Sequence, residues 1–174
     1  MKKIVAILLT LHFCSAFAQE MMTFKGGKQL IGTPTWNFIC DDYAYTGILK
    51  VQLAKNDKGG ILKLSIQVSN NQLYIGDRSY IILENGTYIY CADKGIRDTI
   101  SNESNTFYNL SIAEINKLKS SSIASIRFRI MGTESKFSSQ TGYFTAINKI
   151  KYFDPYDKSK NNYPTNVDLK AIYK

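Results

Sequence analysis

Carboxylates, tyrosines, lysines, a few arginines and cysteines are nearly all this 174-residue chain offers for chemistry. The single histidine, His12, lies inside an N-terminal stretch with the form of an export signal. Lys2 and Lys3 give that stretch a positive start, Ile4 to Leu11 an apolar run, and Ala16-Phe17-Ala18 the small residues a signal peptidase reads. The run is far shorter than the ~20 residues a helix needs to cross a bilayer. Residues 1–18 therefore read as a cleavable leader, and residues 19–174 as one exported domain in the periplasm, at the cell surface or in the medium. Lipid attachment at Cys14 is disfavoured, because His12 and Phe13 stand where small residues are required.

With the leader gone, the chain has no histidine. That excludes a Ser-His-Asp triad, a Cys-His pair and a His-ligated zinc. Neither a G-x-S-x-G elbow nor a phosphate-binding G-x-x-x-x-G-K-[ST] loop occurs, and no serine starts a Ser-x-x-Lys. Gly26-Gly27-Lys28 lacks the strand-loop-helix frame of a phosphate cradle and reads as a lead-in. The remaining enzyme class is a carboxylate-only glycan hydrolase, which needs two acidic groups facing each other across a cleft. Asp41-Asp42 is the one adjacent acidic pair, and it reads as a solvated turn. Asp154, Asp157, Ser159 and Asn161 do not match a calcium loop, and Lys158 and Lys160 would repel the cation. The sequence thus calls for no metal and no cofactor.

Cys40 and Cys91 admit two arrangements. One is a disulfide, which would stabilise by about 4 kcal/mol in the chain-entropy model. The other is a pair of separate buried thiols acting as small hydrophobes.

Twelve tyrosines are the positive signal. Tyrosine is stiff and amphipathic, which suits it to gripping sugars or protein surfaces. Tyr43 with Tyr45 forms one candidate binding group. A basic C-terminal group joins Tyr152, Tyr156 and Tyr163 to Lys158 and Lys160. Tyr88 and Tyr90 read instead as packing residues of a strand that is central or covered on both sides, and Trp36 as a core residue. The formal charge falls from +8 to +6 with the loss of Lys2 and Lys3. That excess favours anionic partners. Four arginines, at 78, 97, 127 and 129, in an exported chain argue against nucleic acid.

The elements that must position these groups follow a period of two. Leu49, Val51 and Leu53 alternate with polar residues, as do Leu62, Leu64, Ile66 and Val68. Lys55 to Gly60 between them has turn composition. A second hairpin runs through Tyr80–Leu83 and Tyr88–Cys91, with Asn85-Gly86 suggesting a type I′ turn. Ser111-Ile112-Ala113-Glu114 is a capping box, which predicts a short helix near 111–119. Ile126, Phe128 and Ile130 alternate with Arg127 and Arg129 to give a strand with a basic outer face. Shorter strands are expected at 35–40, 97–101 and 106–110, a strand at 144–152, a loop at 154–166 and an edge strand at 167–173. The expected fold is mainly β: an antiparallel β-sandwich, with a β-barrel as the alternative. The expected function is a non-enzymatic binding module at the bacterial cell envelope, holding a glycan or an envelope protein. The alternatives are the carboxylate-only hydrolase and a structural subunit of a surface assembly that shares an edge strand.

Overall fold

The computed structural model describes residues 19–133, 140–150 and 161–174. The expected leader, residues 1–18, lies outside the described residues. The strands are β1 (Glu20–Thr23), β2 (Gln29–Gly32), β3 (Trp36–Ile39), β4 (Ile48–Asn56), β5 (Gly59–Gln67), β6 (Tyr74–Leu83), β7 (Tyr88–Cys91), β8 (Arg97–Ile100), β9 (Glu103–Ser111), β10 (Ile123–Met131) and β11 (Gly142–Ile147). Two helices accompany them, α1 (Ile112–Ser120) and α2 (Thr165–Ile172).

All pairings are antiparallel, and the strand order is β7-β6-β10-β11-β3-β4-β5-β9-β8. The path is thinnest between β11 and β3, which pair only through Ile147 and Ile39. On either side of that point lie four strands and five strands whose inner faces share one core. Alternation explains the shared core. Leu49, Val51 and Leu53 of β4, Leu62, Leu64 and Ile66 of β5, and Ile126, Phe128 and Ile130 of β10 all point inward and are buried. Trp36 and Phe38 of β3 join them.

The sheet folds back on itself without closing into a barrel. β7 pairs with β6 only over Ser79–Ile82, so the first half of β6 has a free edge. Side chains of β9 meet that edge in place of a backbone ladder. The Ile75 N–H donates to Ser104 Oγ at 3.2 Å, and Thr106 Oγ1 donates to the Ile75 carbonyl at 2.6 Å. Further along, the hydroxyls of Ser79 and Tyr108 bond at 2.9 Å.

A second, smaller apolar cluster sits on the outer face of the five-stranded half. The β1–β2 hairpin lays Met22 against Ala54, Ile61 and Phe107. The hairpin is joined to the sheet where Gly32 of β2 pairs with Ala54 of β4.

The capping box forms at α1: Glu114 Oε2 accepts the Ser111 N–H at 2.7 Å, and Ser111 Oγ accepts the Glu114 N–H at 3.3 Å. Residues 167–173 are largely helix, not the expected edge strand. Their apolar residues fit both periods, but Thr165, Leu169 and Ile172 are buried at helical spacing while Val167 is exposed. α2 packs beside α1 and against β4.

Two turns also differ from expectation. In the 83–87 turn only Gly86 has positive φ (+81°). The Gly86 N–H donates to the Leu83 carbonyl at 2.9 Å and the Leu83 N–H to the Thr87 carbonyl at 2.8 Å, which makes a three-residue loop. A two-residue turn with positive φ at both residues occurs instead at Ser101-Asn102, joining β8 to β9. Gly59 and Gly60, expected in a turn, open β5 instead. A Cβ on Gly59 would lie 2.2 Å from the Leu110 carbonyl oxygen, so glycine is needed for close strand approach.

Candidate functional site: an arginine–tyrosine groove

The outward residues of the four-stranded half form the most distinctive surface. β6 presents Arg78, Tyr80 and Ile82, β7 presents Tyr88 and Tyr90, β10 presents Arg127 and Arg129, and β11 presents Tyr143. Register brings them together. Tyr80 stands opposite both Tyr90 and Arg127, Ile82 opposite Tyr88, and Arg129 opposite Tyr143. A groove of about 600 Å³ runs over this face, lined by Arg78, Tyr80, Ile82, Tyr88, Arg127 and Tyr143, with Gly86 at its end.

The rings are exposed: Tyr88 by 65% and Tyr143 by 49%. This corrects the reading of Tyr88 and Tyr90 as covered residues. β7 is the last strand of the sheet, and its outward Tyr90 is 48% exposed as well. The guanidinium carbons of Arg127 and Arg129 both lie 5.2 Å from the Tyr143 ring centroid, within cation–π range. Tyr80 and Tyr90 meet edge to face at 5.7 Å.

One acid enters this face. Asp77 approaches Arg78, Arg129 and the Tyr143 hydroxyl. Partial desolvation works to raise its pKa, but the Arg78 backbone N–H, the Tyr143 hydroxyl and the Arg78 guanidinium outweigh it and hold the carboxyl below its ordinary value.

Two further grooves are polar. One, of about 290 Å³, is lined by Thr35, Asn37, Lys50, Gln52, Lys63, Ser65 and Glu103 on the outer face of the five-stranded half. Its carboxylate, Glu103, is held by Lys50 at 2.5 Å and by Gln67 at 3.1 Å. The other, of about 510 Å³, lies between β7 and α1 and contains Glu114, the residue engaged in the capping box. Neither polar groove has more than one carboxylate in its lining, and the lining of the arginine–tyrosine groove has none. None of the three therefore sets an acid against a base among its described side chains.

The residues singled out from sequence are dispersed. Tyr43 is core, 1% exposed: its hydroxyl donates to the Gln67 carbonyl at 2.8 Å and its ring stands edge-on to Phe144 at 5.1 Å. Burial raises its phenol pKa. Tyr45 is exposed, with its ring edge-on to Tyr43. Tyr163 stacks with Phe38 at 6.3 Å, and its backbone is gripped on both sides by Asn148. Tyr43 and Tyr163 share no ring contact. Tyr152, Tyr156, Lys158 and Lys160 lie outside the described residues. Asp42, read as solvated, receives the Thr145 N–H at 3.3 Å where β11 has left β3. Cys40 and Cys91 are separate buried thiols, not a disulfide.

The sequence had one pointer to the groove, the outward Arg127 and Arg129. Their aromatic neighbours come from three other strands, and only the register of β6, β7 and β11 assembles them. No protein family, curated protein or solved structure matches the chain.

Proposed function

We propose that this chain is an exported, non-enzymatic binding module that holds an acidic polysaccharide at the cell envelope in the groove between β7 and β11. One observation carries the reading: three of the four arginines in the sequence share one outer face with exposed tyrosines. Tyrosine rings offer flat apolar faces to sugar C–H groups, and guanidinium forks bind carboxylates with charge-assisted hydrogen bonds. The combination matches a ligand that is both polyhydroxylated and anionic. A hydrolase would need a second carboxylate opposite the first, and no groove described above lines up such a pair. A strand-sharing subunit would be served by a long free edge, and the terminal strands β7 and β8 are four residues each.

The test is a glycan array probed with the chain beginning at Gln19, carrying carboxylated and neutral glycans side by side. Signal on carboxylated glycans, abolished by R127A, is expected. Binding confined to neutral glycans, or none at all, would overturn the proposal. Export is checked separately: intact mass of protein recovered outside the cytoplasm should begin at Gln19.

A further inference from the structure

The face that carries the groove holds more cations than it leaves available. In the β6–β10 pairing, Gly76 stands opposite Arg129 and Tyr80 opposite Arg127, so Asp77, Arg78 and Ser79 together face Phe128. This is a bulge, and Asp77 adopts φ +60° within it. That left-handed conformation is uncommon for a residue with a side chain, and Asp and Asn tolerate it best. The bulge lets neighbouring residues work on the same face. Ser79 turns inward to Tyr108, while Arg78 and Asp77 both reach the outer surface. There the Asp77 carboxylate lies 3.4 Å from Arg78 Nε, 3.5 Å from Arg129 Nη1 and 3.2 Å from the Tyr143 hydroxyl. Arg127 has the Tyr143 ring and no acidic partner among the described residues.

We infer that Asp77 sets the charge selectivity of this groove: it occupies Arg78 and Arg129 as a built-in counter-anion, leaving Arg127 to receive one carboxylate at a time. The inference rests on the acidic-polysaccharide reading and narrows it. The fitting ligand is a chain of isolated uronic-acid carboxylates separated by neutral sugars. A densely sulfated chain would have to displace Asp77 or place a charge beside it, and like charges at such range repel. The carboxylate also holds the Tyr143 hydroxyl, which fixes the ring under both Arg127 and Arg129. Asp77 is thus a specificity residue acting through its neighbours, with no need to touch the sugar.

The experiment titrates the chain from Gln19 with a hyaluronan tetrasaccharide and with a heparin tetrasaccharide, in wild type and D77N. Asparagine keeps the left-handed backbone and removes the charge. D77G, which also accepts that angle, separates charge from any local effect of the amide. Wild type is expected to bind hyaluronan at least as tightly as heparin. Both variants should raise heparin affinity about tenfold, as two arginines are released, and change hyaluronan affinity by no more than about twofold. A heparin-to-hyaluronan ratio unchanged in both variants, or a wild type that already prefers heparin, would overturn this inference while leaving the binding reading in place. Absence of binding to either saccharide by any of the three chains would instead remove the binding reading itself.

Discussion

The indole N–H of Trp36 donates to the Asp168 carboxylate at 2.9 Å, joining β3 to α2 across 132 residues of sequence. Trp36 is 1% exposed, so its donor has no access to bulk water as an alternative. D168A leaves that donor unsatisfied and should cost about 1–3 kcal/mol. D168N keeps a carbonyl oxygen in reach and should cost much less. Urea melts of the two variants check the difference; equal stabilities would mean the bond does not fasten the helix.

The Ser79–Tyr108 hydroxyl pair is suited to a double-mutant cycle. S79A or Y108F alone strands one buried hydroxyl and should destabilise by about 1–3 kcal/mol. The double variant should cost less than the sum of the two, with a coupling of about 0.5–3 kcal/mol. Strict additivity would sink the assignment.

Alkaline pH should weaken the fold. Burial raises the pKa values of Cys40, Tyr43 and Tyr108, and pushes Cys91 and Tyr173 up to about 12. Each group stays neutral in the fold where the unfolded chain would ionise. Its contribution is therefore complete below the ordinary value, 9.0 for the thiols and 10.0 for the tyrosines, and is lost as pH rises toward the folded value. A fully buried group of this kind removes about 1.4 kcal/mol per pH unit in that window, and the half-buried Tyr173 less. The denaturation midpoint should be level from pH 7 to about 8.5 and fall steadily from about pH 9. A level midpoint up to about pH 11 would contradict this.

The same burial protects the thiols chemically, because the thiolate is the reactive form. In the chain from Gln19, a thiol reagent at pH 8 should find no reactive group in the native protein, and Cys40 and Cys91 both reactive once it is unfolded. Rapid labelling of the native protein would show that one of the two sites opens readily.

Tyr88 should separate binding from stability. Its ring is 65% exposed, so Y88A should leave the melting temperature within about a degree. Loss of one stacking face should weaken acidic-glycan binding about tenfold. A large drop in melting temperature would mean that the ring supports the sheet.

Local patterns were legible and long-range neighbours were not. The 48–67 hairpin, the capped helix at Ser111 and the outward arginines of β10 all follow from residues within about twenty positions of one another. The 167–173 segment misled because Val167, Leu169, Ala171 and Tyr173 alternate perfectly, while Leu169 and Ile172 also share a helical face; packing beside α1 decided between them. Tyr88 and Tyr90 gave no sign of exposure, since strand order determines whether a two-faced aromatic strand lies inside a sheet or at its margin. Beyond those outward arginines, the groove could not be read for the same reason. Asp77 offered no local cue either, because its role exists only through a bulge opposite Phe128.

The narrow junction at Ile39 and Ile147 gives the molecule something like the spine of a book, with the hydroxyls of Ser104 and Thr106 as a clasp on the opposite side. Unfastening that clasp severs no rung between paired strands. What holds the two covers shut on that side is the burial of their common core and not a ladder, so loss of the clasp hydroxyls would loosen the closure without unravelling either cover.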